Sequence, residues 1–318
     1  MSKVYEALRQ REHELSASAE NQESAAGTVS KNDSQNASYR ELDFTGHVLE
    51  SALATGRPLE NAGERIPFNS AAENHARHPH TSNNGFRRLT SSCGEESRVV
   101  FSTDPRGLAA EQFRFLRRTL ELKFPEGAVL LITSPAPRDG KTLTAVNLCA
   151  CMAESGKSVI LLDGDVRQPS LHRVLGTDVT SPGIEDVLAE KVDPPQAIHF
   201  VEDLSIHVAM VATPPSDPAR LIGGTGIKRL LTWARERFSW VIIDSPPVLP
   251  AADVAQLLAV ADAVLLVVRT HSTPRELTIR AVEMLGDHLS GVVLNEASVG
   301  SNPYYRYSYD YGRGNGRR

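Results

Sequence analysis

Cysteine is scarce. The 318 residues contain three, Cys93, Cys149 and Cys151, at no spacing that suits a metal site or a disulfide framework. Cys149 and Cys151 fall in an apolar stretch, where free thiols are commonly buried, and a reducing compartment is expected. Long hydrophobic runs are missing: nothing approaches the roughly 18 apolar residues of a membrane span. The opening segment MSKVYEALRQREHELSASAE has no apolar stretch of the secretory kind, so a cytoplasmic location is expected. Excess positive charge is absent as well. Lys and Arg number 34 against 39 Asp and Glu, a net charge of −5, which leaves no electrostatic footprint for nucleic acid. Aromatics are only 6% of the chain, yet they are unevenly spent. Five of the seven tyrosines, Tyr304, Tyr305, Tyr307, Tyr309 and Tyr311, lie in the last fifteen residues, YYRYSYDYGRGNGRR. That segment has no apolar residues to bury the rings, so they are either incidental or serve something other than a core.

What is present is a 41% hydrophobic content, enough for a substantial core. Residues 1–15 read as a short amphipathic helix, with Val4, Ala7 and Leu8 along one side, a possible docking handle. Residues 16–99 are rich in Ser, Asn, Glu, Gly and His and read as a disordered linker. His75, His78 and His80 fall inside it without any Cys or carboxylate framework, which favours a solvated histidine-rich stretch over a metal site. From about residue 100 to 300 apolar strands and helical patterns alternate. Strands are expected at 128–134, 158–163, 205–211, 240–245, 263–269 and 291–295, and helices at 107–122, 141–155, 225–237, 251–259 and 274–287. Near-continuous runs such as AVLLIT and AVLLVV suit a parallel sheet covered on both faces, giving a doubly wound α/β domain, with 301–318 as a separate tyrosine-rich tail.

The first of these strands runs into ITSPAPRDGKTLTAVNL. Pro137, Arg138, Asp139, Gly140, Lys141, Thr142 and Leu143 then form a candidate phosphate loop opening a helix, where backbone N–H groups and the helix dipole favour an anion. Lys141 would reach terminal phosphates and the Thr142 hydroxyl would hold Mg²⁺. Pro135 stands where the first glycine of G-x-x-x-x-G-K-[ST] belongs. Two further strands end in acid: VILLDGDVRQP places Asp163 and Asp165, and WVIIDSPP places Asp244, beyond buried runs. Ligands of open α/β sheets sit at the carboxyl ends of the strands, so the three carboxylates converge on the loop. Singly each is a turn or cap residue; together beside GKT they point to phosphoryl transfer with ATP and Mg²⁺. Asp244 suits the metal, whereas Asp163 or Asp165 could orient or deprotonate the attacking group.

These motifs resemble those of the bacterial tyrosine kinases (BY-kinases) of the capsule and exopolysaccharide type, over roughly residues 98–311. TSPAPRDGKT is similar to the family's Walker A loop, ILLDGDVR with Asp163, Asp165 and Arg167 to its Walker A′, VIIDSPP to its Walker B, and the tyrosine cluster to its autophosphorylated tail. Glu111, Arg114 and Arg117 match an E-x-x-R-x-x-R helix that the family uses to assemble rings. The related partitioning and division-site ATPases carry an extra lysine where this chain has Ala136. Arg138 replaces a usual glycine, and TPPSDPARL only approximates the family's PPNPxELL.

The resemblance implies a P-loop NTPase-type sheet, catalysis by Lys141, Asp163, Asp165 and Asp244, and metal binding by Thr142, Asp163 and Asp244. The five tail tyrosines would be phosphoacceptors entering a neighbouring subunit's site. It also implies a ring-like homo-oligomer and a separate membrane-bound polysaccharide co-polymerase that recruits the protein to the inner face of the membrane. Asn295, ending the last strand, is a candidate adenine contact or a simple turn residue; Arg269 faces the site or solvent. The competing reading is a switch ATPase that controls membrane or partner association without phosphorylating tyrosine.

Overall fold

A computed structural model describes residues 85–92, 94, 97–179, 181–249 and 253–297. The expected N-terminal helix, most of the expected linker with its three histidines, and the tyrosine tail lie outside the described residues.

In chain order the elements are β1 (Arg87–Leu89), α1 (Val100–Thr103), α2 (Leu108–Lys123), β2 (Ala128–Thr133), α3 (Lys141–Glu154), β3 (Val159–Asp163), α4 (Leu171–Leu175), α5 (Ile184–Leu188), α6 (Pro194–Ala197) and β4 (Ile198–Val201). They continue with β5 (Ile206–Ala209), α7 (Pro218–Ile222), α8 (Gly226–Arg235), β6 (Trp240–Asp244), α9 (Val254–Leu258), β7 (Ala263–Arg269), α10 (Arg275–Leu285), a 3₁₀ turn (Gly286–His288) and β8 (Leu289–Asn295). One sheet holds all eight strands in the order β1-β4-β5-β3-β6-β2-β7-β8. Every neighbouring pair is parallel except β4 with β5.

The central strands β2, β3, β6 and β7 are almost wholly apolar because both faces of the sheet are covered there. Alternation sends Val129, Leu131, Ile160, Leu162, Val241 and Ile243 to one face, where α5, α8, α9 and α10 pack. Leu130, Ile132, Leu161, Trp240, Ile242 and Leu265 go to the other, beneath α2, α3 and α4. Each such side chain fully removed from water contributes about 1.5–3 kcal/mol. Helix α3 is almost wholly buried, Cys149 and Cys151 included, so its first residues are fixed by the core beneath them.

Six of the eight strands coincide with the expected ones to within a few residues; β1 and β4 do not. The three-residue β1 lies inside the stretch read as linker. It pairs with β4, and neighbouring Phe86 packs edge-on against His207 at 5.1 Å, a contact over more than a hundred residues that local composition does not announce. Among the described residues no helix is long and apolar enough to cross a membrane.

Candidate active site

Sheet order builds the site. β3, β6 and β2 are consecutive and parallel, so their carboxyl ends emerge side by side: Asp163 lies opposite Asp244, and Asp244 opposite Ile132. Hydrogen bonds hold these ends together. Gly164 N–H donates to the Asp244 carbonyl at 2.7 Å, Ser245 N–H and Oγ both donate to the Ile132 carbonyl at 3.0 Å, and Val248 N–H donates to the Ser134 carbonyl at 2.9 Å.

After β2 the chain turns through 134–140 into α3. Arg138 adopts φ +69° and Gly140 φ +96°, both in the left-handed region. Gly140 precedes the helix, so the amides of Lys141, Thr142 and Leu143 open its first turn, where a helix has no internal acceptors. Pro137 and Arg138 are exposed, whereas Asp139, Lys141 and Thr142 are buried. Lys141 Nζ points to the acidic strand ends, 3.3 Å from Asp165 Oδ2. The Thr142 hydroxyl lies 2.8 Å from Ser170 Oγ, and Asp165 Oδ1 accepts from Gln168 N–H at 3.1 Å.

Asp163 and Asp244 are completely buried, and none of their four carboxylate oxygens has a hydrogen-bond partner of good geometry, the Thr142 hydroxyl and the Asp165 N–H standing near without closing a full bond. Burial pushes the Asp244 carboxyl up to about 6, against the pull of the Lys141 ammonium and the Thr142 hydroxyl. Burial also raises Asp163 well above the usual carboxylate range, with the charges of Asp244 and Asp165 acting in the same direction and Lys141 opposing. Two buried carboxylates on adjacent strands without full hydrogen bonds are costly unless something positive joins them. The hard oxygens of Asp163, Asp244 and Thr142 suit Mg²⁺, which favours carboxylates together with substrate phosphates.

The structure thus brings Lys141, Thr142, Asp163, Asp165 and Asp244 together. Asn295 reaches the same loop, but its side-chain amide donates to the Asp139 carbonyl at 2.9 Å, and its oxygen accepts from Glu296 N–H at 3.0 Å. Arg269 turns to Glu296, at 2.6 Å. Arg167 forms a two-pronged pair with the buried carboxylate of Asp253, at 2.5 and 3.0 Å. No contiguous motif in the sequence marks Asp253, Ser170 or Thr273. Asp253 in LPAADVA reads as a helix cap, and nothing local signals its partner 86 residues away.

Glu111, Arg114 and Arg117 all lie on α2. Arg114 is engaged within the chain: it reaches Glu111 at 2.5 Å and grips Glu154, at the end of α3, through two bonds of 2.9 and 2.6 Å. Arg117 Nε stands 4.0 Å from Glu121.

A strand-loop-helix phosphate site flanked by acidic strand ends defines a P-loop NTPase-type fold. Residues 139–276 match the profile of the AAA domain family. The tyrosine-protein kinase YwqD of Bacillus subtilis is 32% identical over 214 residues, which are 66% of this chain and 90% of that protein. Wzc, a tyrosine-protein kinase of Salmonella typhimurium, is 29% identical over 68% of this chain but only 31% of its own length. Among solved structures, the chimerical protein CapA2B2 matches with a TM-score of 0.58 at 27% identity, covering 63% of this chain and 89% of that one. The BceF tyrosine kinase domain matches at 0.57 and 26% identity, covering 66% and 91%. The chain belongs to the bacterial tyrosine-protein kinase family. It spans nearly all of the Bacillus relative and about a third of the Salmonella one.

Proposed function

We propose that this protein is an ATP-dependent tyrosine autokinase. It transfers the γ-phosphate of ATP to Tyr304, Tyr305, Tyr307, Tyr309 and Tyr311 of its own tail, between subunits, and so regulates capsule or exopolysaccharide assembly. The observation that carries this reading is the pair of buried carboxylates without full hydrogen bonds, Asp163 and Asp244, set against Lys141 at the mouth of a phosphate loop.

Phosphoryl transfer needs positioning and charge neutralisation more than covalent chemistry. The first-turn amides of α3 would cradle the phosphates, and Lys141 would exchange Asp165 for the terminal phosphate oxygens. Thr142, Asp244 and Asp163 would hold Mg²⁺, which supplies positive charge against the phosphates. Asp163 or Asp165 would orient the tyrosine hydroxyl and take its proton.

Assembly of subunits is supported by the outer face of α2. Phe115 and Leu122, two turns apart, are 65% and 70% exposed, beside Glu111. A neighbouring subunit covering them would bring its tail within reach of this site. A membrane-bound polysaccharide co-polymerase is the proposed recruiting partner.

The test is incubation of the full chain with Mg²⁺ and ATP, followed by phosphotyrosine mass spectrometry, against Lys141→Met. Phosphate on the tail tyrosines that disappears in the variant is expected. ATP hydrolysis without phosphotyrosine would replace this reading with that of a switch ATPase.

A further inference from the structure

Asp139 presents a chemical problem. A carboxylate inside a phosphate-binding loop repels the ligand unless its charge is otherwise engaged, and Asp139 is only 3% exposed. Its oxygens are both occupied. Oδ2 accepts the Ala136 N–H at 3.0 Å, closing the loop on itself. Oδ1 accepts the hydroxyl of Thr273 at 2.6 Å, from a turn 134 positions further along the chain.

Thr273 is itself fixed. Its hydroxyl accepts the Arg269 N–H at 3.2 Å, and its own N–H donates to the Arg269 carbonyl at 3.0 Å, which ties it to the end of β7. From the other side Asn295, at the end of β8, donates to the Asp139 carbonyl. The same amide nitrogen stands 2.1 Å from where a Cβ on Gly140 would lie, so the loop is packed against β8 without room for a side chain. One loop residue is therefore gripped by its side chain from the β7–α10 turn and by its backbone from β8. The grip acts next to Arg138, whose left-handed conformation is unfavourable for a residue with a side chain and persists only where the surroundings over-determine it.

From this geometry we infer that Thr273 is a positioning residue for the phosphate loop: through the Asp139 carboxylate it holds 136–140 in the shape that receives the nucleotide's phosphates. Asp139 then serves as a brace and not as a phosphate contact. Thr273 touches neither nucleotide nor tyrosine in this scheme and acts only through Asp139. Binding of ATP at the loop is part of the proposed function, whereas the brace itself exists without nucleotide and is measurable on its own.

Thr273→Val keeps the shape of the side chain and removes the hydroxyl; Thr273→Ser restores the hydroxyl. In the full-length protein without nucleotide, exchange of the Ala136 amide proton should accelerate about tenfold or more in the valine variant, since a hydrogen bond to a charged acceptor is lost. Thermal midpoints should stay within a few degrees of one another. Mg²⁺-ATP affinity, measured by calorimetry, should fall by about tenfold, and the serine variant should recover both values. Unchanged Ala136 exchange and unchanged ATP affinity in Thr273→Val would overturn the inference. Failure of the unaltered protein to bind Mg²⁺-ATP would instead defeat the proposed function, and Ala136 exchange would still decide whether the brace exists.

Discussion

Arg138 holds φ +69°, a conformation that glycine adopts freely, and it is exposed, so the strain is local to the backbone. Arg138→Gly would relieve that strain but add freedom to the unfolded chain, and the two offset. The expected change in denaturation free energy is under about 1 kcal/mol, whereas Arg138→Val, branched at Cβ, should cost about 1–3 kcal/mol. Equal midpoints for the two variants would contradict the assigned conformation. Gly140→Ala is a harsher change, because φ +96° and the Asn295 amide both exclude a methyl group. It should cost about 2 kcal/mol or more and abolish calorimetric ATP binding. At this scale the sequence is legible where chemistry sits in a contiguous pattern: LDGDVR and IIDSPP announce their residues by a buried strand ending in acid, and GKT by opening a helix just after a buried strand. Thr273 in THSTP looks like an ordinary turn, and its value comes from a partner that only the sheet order brings near.

Helix α2 is clamped to α3 by Arg114 and Glu154. Both side chains are partly solvated, so Arg114→Ala should lower stability by only about 0.5–1 kcal/mol in a denaturant titration. A loss several times larger would mean that the pair is far better shielded than its exposure indicates. In β5, His207 lies among Phe86, Phe200 and Phe238 at 4.9–5.1 Å, and burial lowers its pKa to about 4. In the unfolded chain it titrates near 6.5, so between pH 6.5 and 4 the unfolded state takes up a proton that the folded state refuses. Its contribution is complete above about pH 6.5 and is lost progressively towards pH 4, by up to about 3 kcal/mol. His207→Phe should flatten this part of the stability profile; an unchanged acid slope would assign the effect elsewhere. These elements also show why two strands escaped the sequence reading. β4 directly follows the Pro-containing turn of α6 and runs antiparallel to β5, and β1 is three residues long with two of them arginine. Both owe their existence to pairing partners and not to local pattern, whereas the buried parallel strands carry runs of five to seven residues, mostly apolar, that can be read without the fold.

For the whole molecule, the doubly wound topology gathers Asp163, Asp244 and Lys141 from separate elements, and the proposed assembly brings the substrate tail from another copy. Phe115→Asp on the exposed face of α2 should shift the protein towards monomer in sedimentation and reduce tail phosphorylation in parallel. An unchanged oligomeric state would remove α2 from the interface. Each phosphotyrosine adds about −1.5 to −2 charges, so a fully modified tail carries about −8 to −10 and should drive the subunits apart, reversibly on phosphatase treatment. The central claim is that this site phosphorylates the tyrosine tail of a neighbour. Its most direct measurement mixes the Lys141→Met chain, inactive but with an intact tail, with a chain whose five tail tyrosines are changed to phenylalanine, in Mg²⁺ and ATP. Phosphotyrosine appearing on Tyr304 to Tyr311 of the Lys141→Met chain is the predicted result. Its absence, while the wild-type protein alone becomes phosphorylated on those residues, would contradict transfer between subunits.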